Sequence, residues 1–233
     1  MIIEINEIQY KVKTEWEDIT LNLAQQLTSI EKPKKLLAVY NAKEQETFDA
    51  AVKDLKRSDC IDYYKEVIVL LSDVPKDVME STDKGITDFY FQYVEKLIVD
   101  MHNMYPFSYK HRDIKSFKFK GQTYMIPVEE TLLNDTKPLA NETTQAFIEG
   151  MELRTAIQNK VMAAEGIAGI TAVFARPKGV DFDEKGAIKR AQLFNELTMD
   201  NHWEVFFCLM LLLKRSAEIT STFLEDQAKA PSN

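Results

Sequence analysis

Three histidines, two cysteines and scattered carboxylates are the residues of this chain from which chemistry could be built. His102, His111 and His202 stand at least nine residues apart, so no two lie one helical turn apart, as a helical zinc site requires. Each is expected to be a partly exposed surface or interface histidine. Asp181-Phe182-Asp183-Glu184-Lys185-Gly186 begins like a calcium loop, with acids at positions one and three and glycine at six. Lys185 then occupies a ligand position, and Gln192 replaces the bidentate glutamate at position twelve, so the acids read instead as the start of a helix. Gly166-Ile167-Ala168-Gly169 lacks the glycine spacing and the following Lys-Ser or Lys-Thr of a phosphate cradle, and reads as close helix packing. Glu129 and Glu130 are adjacent and point in different directions, unlike a matched acid and base. Cys208 lies in an apolar run and Cys60 has only Lys56 and Arg57 within a turn, so both read as buried small hydrophobes. These patterns assign no catalytic, cofactor-binding or metal-ligating residue, and the chain is read as non-enzymatic. An intracellular enzyme whose groups converge from distant segments stays open.

One cluster remains. Lys110, Arg112, Lys115, Lys118 and Lys120 are five cations within eleven positions, preceded by Tyr105, Phe107 and Tyr109. A basic, aromatic loop of this kind suits phosphates of passing DNA or acidic faces of neighbouring subunits, against the alternative of a solvated loop. The candidate partner contacts are Tyr109, Lys110 and Arg112 on that loop, Lys118 and Lys120 beside it, and Trp203, Phe206 and Phe207 on the last helix.

The elements that position these residues follow from composition and period. The chain has 233 residues, 29 basic and 37 acidic side chains, a net charge of −8, and only 7 Gly and 7 Pro. That profile excludes disorder and collagen-like repeats, argues against wholesale duplex DNA binding, and favours a mainly helical fold. The apolar run Val205–Leu213 is far short of the roughly 20 residues a bilayer needs. It reads as core, or as an interface between subunits. The opening residues lack the pattern of a secretory signal, which implies a reducing compartment.

Two segments alternate like strands. Ile3 and Ile5 fall on one parity and Ile8, Tyr10 and Val12 on the other, with the switch at Asn6-Glu7. Phe117, Phe119, Tyr124 and Ile126 repeat the spacing around Lys120-Gly121, at an offset of 114 residues. The expected fold is therefore mainly α (α+β): a helical core with two β-hairpins, either a duplicated hairpin-plus-helix unit or two hairpins alike by chance. The parts are 1–115 and 116–233, as two domains or packed as one. Helices are expected at Leu21–Leu27 after a Thr20 cap, Glu44–Arg57, Ile61–Leu71, Ile86–Met104, Glu142–Glu165, Glu184–Leu197 and Asn201–Leu224. Asp59, Thr82, Thr136 or Asn141, Asp183 or Asp181, and Asp200 are the expected caps, and Pro106 the stop of the 86–104 helix. Gly166–Ala175 reads as helix or buried strand, with helix favoured.

The opening, Ile3-Glu4-Ile5-Asn6, Tyr10-Lys11-Val12 and Glu15-Trp16-Glu17-Asp18, resembles the amino-terminal hairpin of small morphogenesis proteins of tailed bacteriophages. So does the block Ala172–Pro177 with Phe182-Asp183-Glu184 and Arg190–Leu197. The likeness is to phages of Bacteroides-type bacteria, including the crAss-like group, and covers about a third of the chain. It implies a virion structural protein, a homo-oligomeric ring subunit of the portal, neck or tail barrel. Its partners would be other phage structural proteins, possible non-specific contact with genomic DNA, and no membrane. The alternative it implies is a tail assembly chaperone in the host cytoplasm, absent from the mature virion.

Overall fold

Both parity switches are hairpin turns. The computed structural model describes residues 1–103, 109–126, 163–180 and 183–209. Strand β1 (Ile2–Ile5) pairs antiparallel with β2 (Ile8–Lys11), Ile3 opposite Tyr10 and Ile5 opposite Ile8. Asn6 and Glu7 take φ of 53° and 65°, two left-handed residues in succession, the turn whose twist matches that of the flanking strands. Strand β3 (Ser116–Phe119) pairs with β4 (Gln122–Met125) in the same way, Phe117 opposite Tyr124, with Lys120 and Gly121 at φ of 45° and 78°. The offset of 114 carries even the bond beyond the strands: Val12 N–H donates to Met1 O and Ile126 N–H to Lys115 O. Ile8 departs from the expected apolar row. It lies beside the turn and is 54% exposed, while Ile3, Ile5 and Val12 are buried.

The chain divides into two units, Met1–Tyr109 with Thr198–Asp200, and Lys110–Leu197 with Asn201–Asn233. In the first, a 3-10 turn (Trp16–Asp18) leads to α1 (Leu21–Ser29), whose Thr20 cap accepts from Leu23 N–H. Helices α2 (Lys34–Asn41), α3 (Gln45–Asp54), α4 (Ile61–Leu71), α5 (Lys76–Ser81), α6 (Lys84–Phe91) and α7 (Glu95–Asn103) follow. The core centres on α4, which buries Tyr63, Tyr64, Val67, Ile68 and Leu71, with the Tyr64 ring stacked on Phe91 at 3.7 Å. The chain after α4 bridges back to the first hairpin, Val12 pairing with Ser72.

Several expected elements differ. The helix at 86–104 is two, α6 and α7, separated by a turn over 92–94. Its apolar residues are too many for one buried face: Phe91, Val94, Leu97, Ile98 and Met101 are buried, while Ile86, Phe89 and Tyr93 are left 47–52% exposed. Helix α3 is shorter than 44–57 and buries none of its residues; Phe48 and Val52 face solvent. Asp59 does not cap α4 but pairs with Lys35 at 3.5 Å. The cap of α6 is Asp83, accepting from Gly85 N–H, while the Thr82 hydroxyl donates to Val78 O.

In the second unit, α8 (Ala163–Phe174) covers most of Gly166–Ala175, which is helix as favoured, and is followed by β5 (Arg176–Pro177), which adds to β4. Helix α9 (Glu184–Phe194) is capped by Asp183, accepting from Gly186 N–H at 2.7 Å. The small Ala168, Ala172 and Ala175 of this stretch are buried, and small side chains let α9 approach α8 closely. Phe194 is fully buried, its ring edge-on to Phe117, Phe119 and Tyr124 at 5.1–6.1 Å. Helix α10 covers 199–209, so Asp200 sits inside its first turn and not at its cap. The Pro106 stop, the caps at Thr136 or Asn141, Glu129 and Glu130, Asp181, most of the 142–165 helix and everything after 209 lie outside the described residues. No helix among the described residues is long and apolar enough to cross a membrane.

Candidate functional site

A carboxylate organises the basic loop. Glu204, on α10, is fully buried, and a buried carboxylate must find donors for its lone pairs. It accepts from Arg112 N–H at 2.7 Å and from Ile114 N–H at 3.5 Å, while Arg112 Nε–H donates to the same oxygen as the Arg112 amide, at 3.3 Å. His111 Nε2 lies 3.3 Å from the other oxygen. Asp113 between the two amides has φ of 54°, a left-handed kink that lets alternate N–H groups converge on one anion. The loop is therefore held in place from a helix about 90 positions away in the chain. In the sequence Glu204 only precedes the apolar run Val205–Leu213, so its role carries no local signal.

Cys208, one turn further along α10, has its Sγ 4.0 Å from the same His111 Nε2. Thiol, imidazole and carboxylate thus meet, but in an order unsuited to nucleophile activation. A base that relays a proton needs one nitrogen on the thiol and the other on the carboxylate, and here one nitrogen faces both. Burial, then the charges of Glu204 and Asp113, push the Cys208 thiol up to about 11. Arg112 beside Glu204 also disfavours a cation, and among the described residues no group of three or more His, Cys, Asp or Glu is placed to hold a metal ion. What this arrangement does well is fix a loop.

The candidate contact residues separate on folding. Lys110 and Lys118 are exposed and Tyr109 is half-buried. Lys120 pairs with Glu196 at 2.7 Å and lies over the Phe119 ring. Arg112 is committed to Glu204. Trp203 is only 2% exposed, which removes it from the surface, because a buried side chain has no area left to offer. Phe206 and Phe207 are half-buried, the latter against the His111 ring at 5.6 Å. His202 corrects the expectation of a partly exposed histidine: it is buried, with Nδ1 2.6 Å from Thr171 Oγ1 and Nε2 3.0 Å from Phe194 O. The carbonyl can only accept, so Nε2 carries the proton, and burial pushes the pKa down to about 4. Both cysteines are free and buried, as expected of small hydrophobes.

The first unit presents an exposed apolar surface. On α6 and the turn after it, Ile86, Phe89 and Tyr93 are exposed, and the Phe89 and Tyr93 rings meet edge to face at 5.5 Å. Tyr90 beside them donates its hydroxyl to Glu4 O at 2.7 Å and accepts from Glu4 N–H at 3.3 Å, which caps the free edge of β1. In sequence this face is indistinguishable from the buried one, since both are apolar at helical spacing. In comparisons with known proteins, no family model, curated protein or solved structure matches the chain.

Proposed function

We propose that this chain is a non-enzymatic subunit of a ring in the portal, neck or tail barrel of a tailed phage, acting through the surfaces it presents. The resemblance of its two ends supplies the setting, and the exposed aromatic face of α6 is the observation that carries the reading. Ile86, Phe89 and Tyr93 are each about half exposed and adjacent, whereas scattered single apolar residues are what an ordinary surface shows. Aromatic side chains are the commonest anchors of protein interfaces. Rings need head-to-tail contacts, in which such a face meets a different surface of the next copy. Lys110 and Lys118 add a basic edge able to meet acidic neighbours or genomic DNA.

The experiment pairs solution mass with particle composition. The purified chain is expected to form a closed oligomer by light scattering, Phe89→Ser with Tyr93→Ser is expected to return it to monomer with unchanged circular dichroism, and mature particles are expected to contain it stoichiometrically. A monomer that is absent from particles but bound to tail proteins in lysate supports the second reading, an assembly chaperone. That reading draws on the same aromatic face and on the net charge of −8. A double variant that assembles like the parent protein removes the α6 face from either reading.

A further inference from the structure

Arg190 is the buried charged group that no packing role explains. It lies on α9 and is 8% exposed. Its Nε–H donates to Ala172 O at 3.0 Å, but its Nη2 is buried with no hydrogen-bond partner among the described residues. A buried guanidinium donor left unmade is costly, and native structures keep such donors where something else completes them. The side chain runs back along α9 toward its first turn, as long helical side chains do. A Cβ on Gly186 would collide with Asp183 Oδ2 and come within 3.1 Å of Arg190 Nη1, so the glycine leaves room for the guanidinium against the start of the helix.

Two further features gather at this place. Arg176, half-buried on β5, is a second guanidinium close enough for its charge to act on Arg190. The amides of the first turn of α9 add the positive end of an 11-residue helix. Among the described residues Asp183 is the carboxylate whose charge acts on Arg190, and its Oδ2 accepts from Gly186 N–H. Burial and Arg176 lower the Arg190 pKa while Asp183 and Tyr124 raise it; a guanidinium stays charged throughout. Glu184 stands beside Asp183 in the first turn, so what is left unmet at this place is the Nη2 donor of Arg190 and not a net charge.

We propose that Arg190, Arg176 and the first turn of α9 form a binding site for a small phosphate-type oxyanion, held by the unpartnered Nη2 of Arg190 and by the Arg176 guanidinium. The depth of Arg190 selects a free phosphate or the terminal phosphate of a small molecule over a phosphodiester within a polymer. The inference is independent of the role proposed above.

The test is isothermal titration of the full chain with inorganic phosphate and, separately, glycerol 3-phosphate, at an ionic strength held constant with chloride. The intact protein is expected to bind phosphate saturably, and Arg176→Gln to bind it about tenfold more weakly, the usual effect of losing one charged hydrogen-bond partner. Because Arg190→Met removes a buried side chain and can unfold the unit, the half-buried Arg176 carries the test, with its melting temperature in chloride as the control for folding. Glycerol 3-phosphate binding as well assigns the site to a phosphomonoester end; inorganic phosphate alone assigns it to the free ion. Absence of saturable binding to both, or unchanged affinity in a folded Arg176→Gln variant, overturns the proposal.

Discussion

Replacing His202 by Gln is expected to abolish a specific part of the acid sensitivity of this protein. The imidazole is fully enclosed, neutral, and bonded through Nε2–H to Phe194 O and through Nδ1 to the Thr171 hydroxyl. Burial pushes its pKa from 6.5 down to about 4, and the bond to Phe194 O offsets only part of that. The sign follows from which state binds the proton first. As pH falls below 6.5 the unfolded chain protonates at this position while the folded chain does not, so protons favour unfolding. The neutral histidine's contribution is complete above pH 6.5, falls between 6.5 and 4, and is lost below 4. At about 1.4 kcal/mol for each pH unit of that window, the loss amounts to about 3 kcal/mol. The assay is urea unfolding of the parent protein and the Gln variant from pH 7.5 to 4. His102, His111 and every carboxylate are common to both, so the difference curve isolates position 202. It should be flat above pH 7 and move by about 3 kcal/mol in the variant's favour on acidification. Parallel curves over the whole range would refute the reasoning, because they would mean that position 202 takes up its proton equally in both states.

Glu204→Gln should destabilise the second unit by about 3 kcal/mol, since it replaces one acceptor oxygen by a donor facing N–H groups and leaves the Arg112 guanidinium without its counter-charge. The checks are a fall in melting temperature and faster protease cleavage at Lys110 or Arg112, and a variant as stable and as resistant as the parent contradicts the anchoring role. Glu7→Gly should stabilise the first hairpin by about 0.5–1 kcal/mol, because glycine occupies the left-handed region without the steric cost a glutamate bears there. Lower stability in chemical unfolding would place the cost of Glu7 elsewhere.

The hairpins were legible because their information is local. A parity switch across two residues describes a two-residue turn, and an offset of 114 carried the register from one hairpin to the other. The Thr20 and Asp183 caps were legible for the same reason, as was the helical state of the Gly166–Ala175 stretch. Where elements differed, the competing choices were locally equivalent. Asp83 caps α6 in place of its neighbour Thr82, and the chain tightens after Phe91, where period alone runs straight on.

By itself, the sequence determined the two hairpins and most of the helices, since turn chemistry, capping and apolar period act over a few neighbouring residues, while α2 and β5 are elements that no such pattern announced. Only the tertiary structure decided which apolar face of 86–93 is covered, that Trp203 is inside, and that Glu204 gathers the amides of a loop about 90 positions earlier. It also buried Arg190 with a donor unspent. The physical reason is that burial and charge pairing depend on what the rest of the chain brings to a side chain, and identical residue types are stable on either side of that boundary.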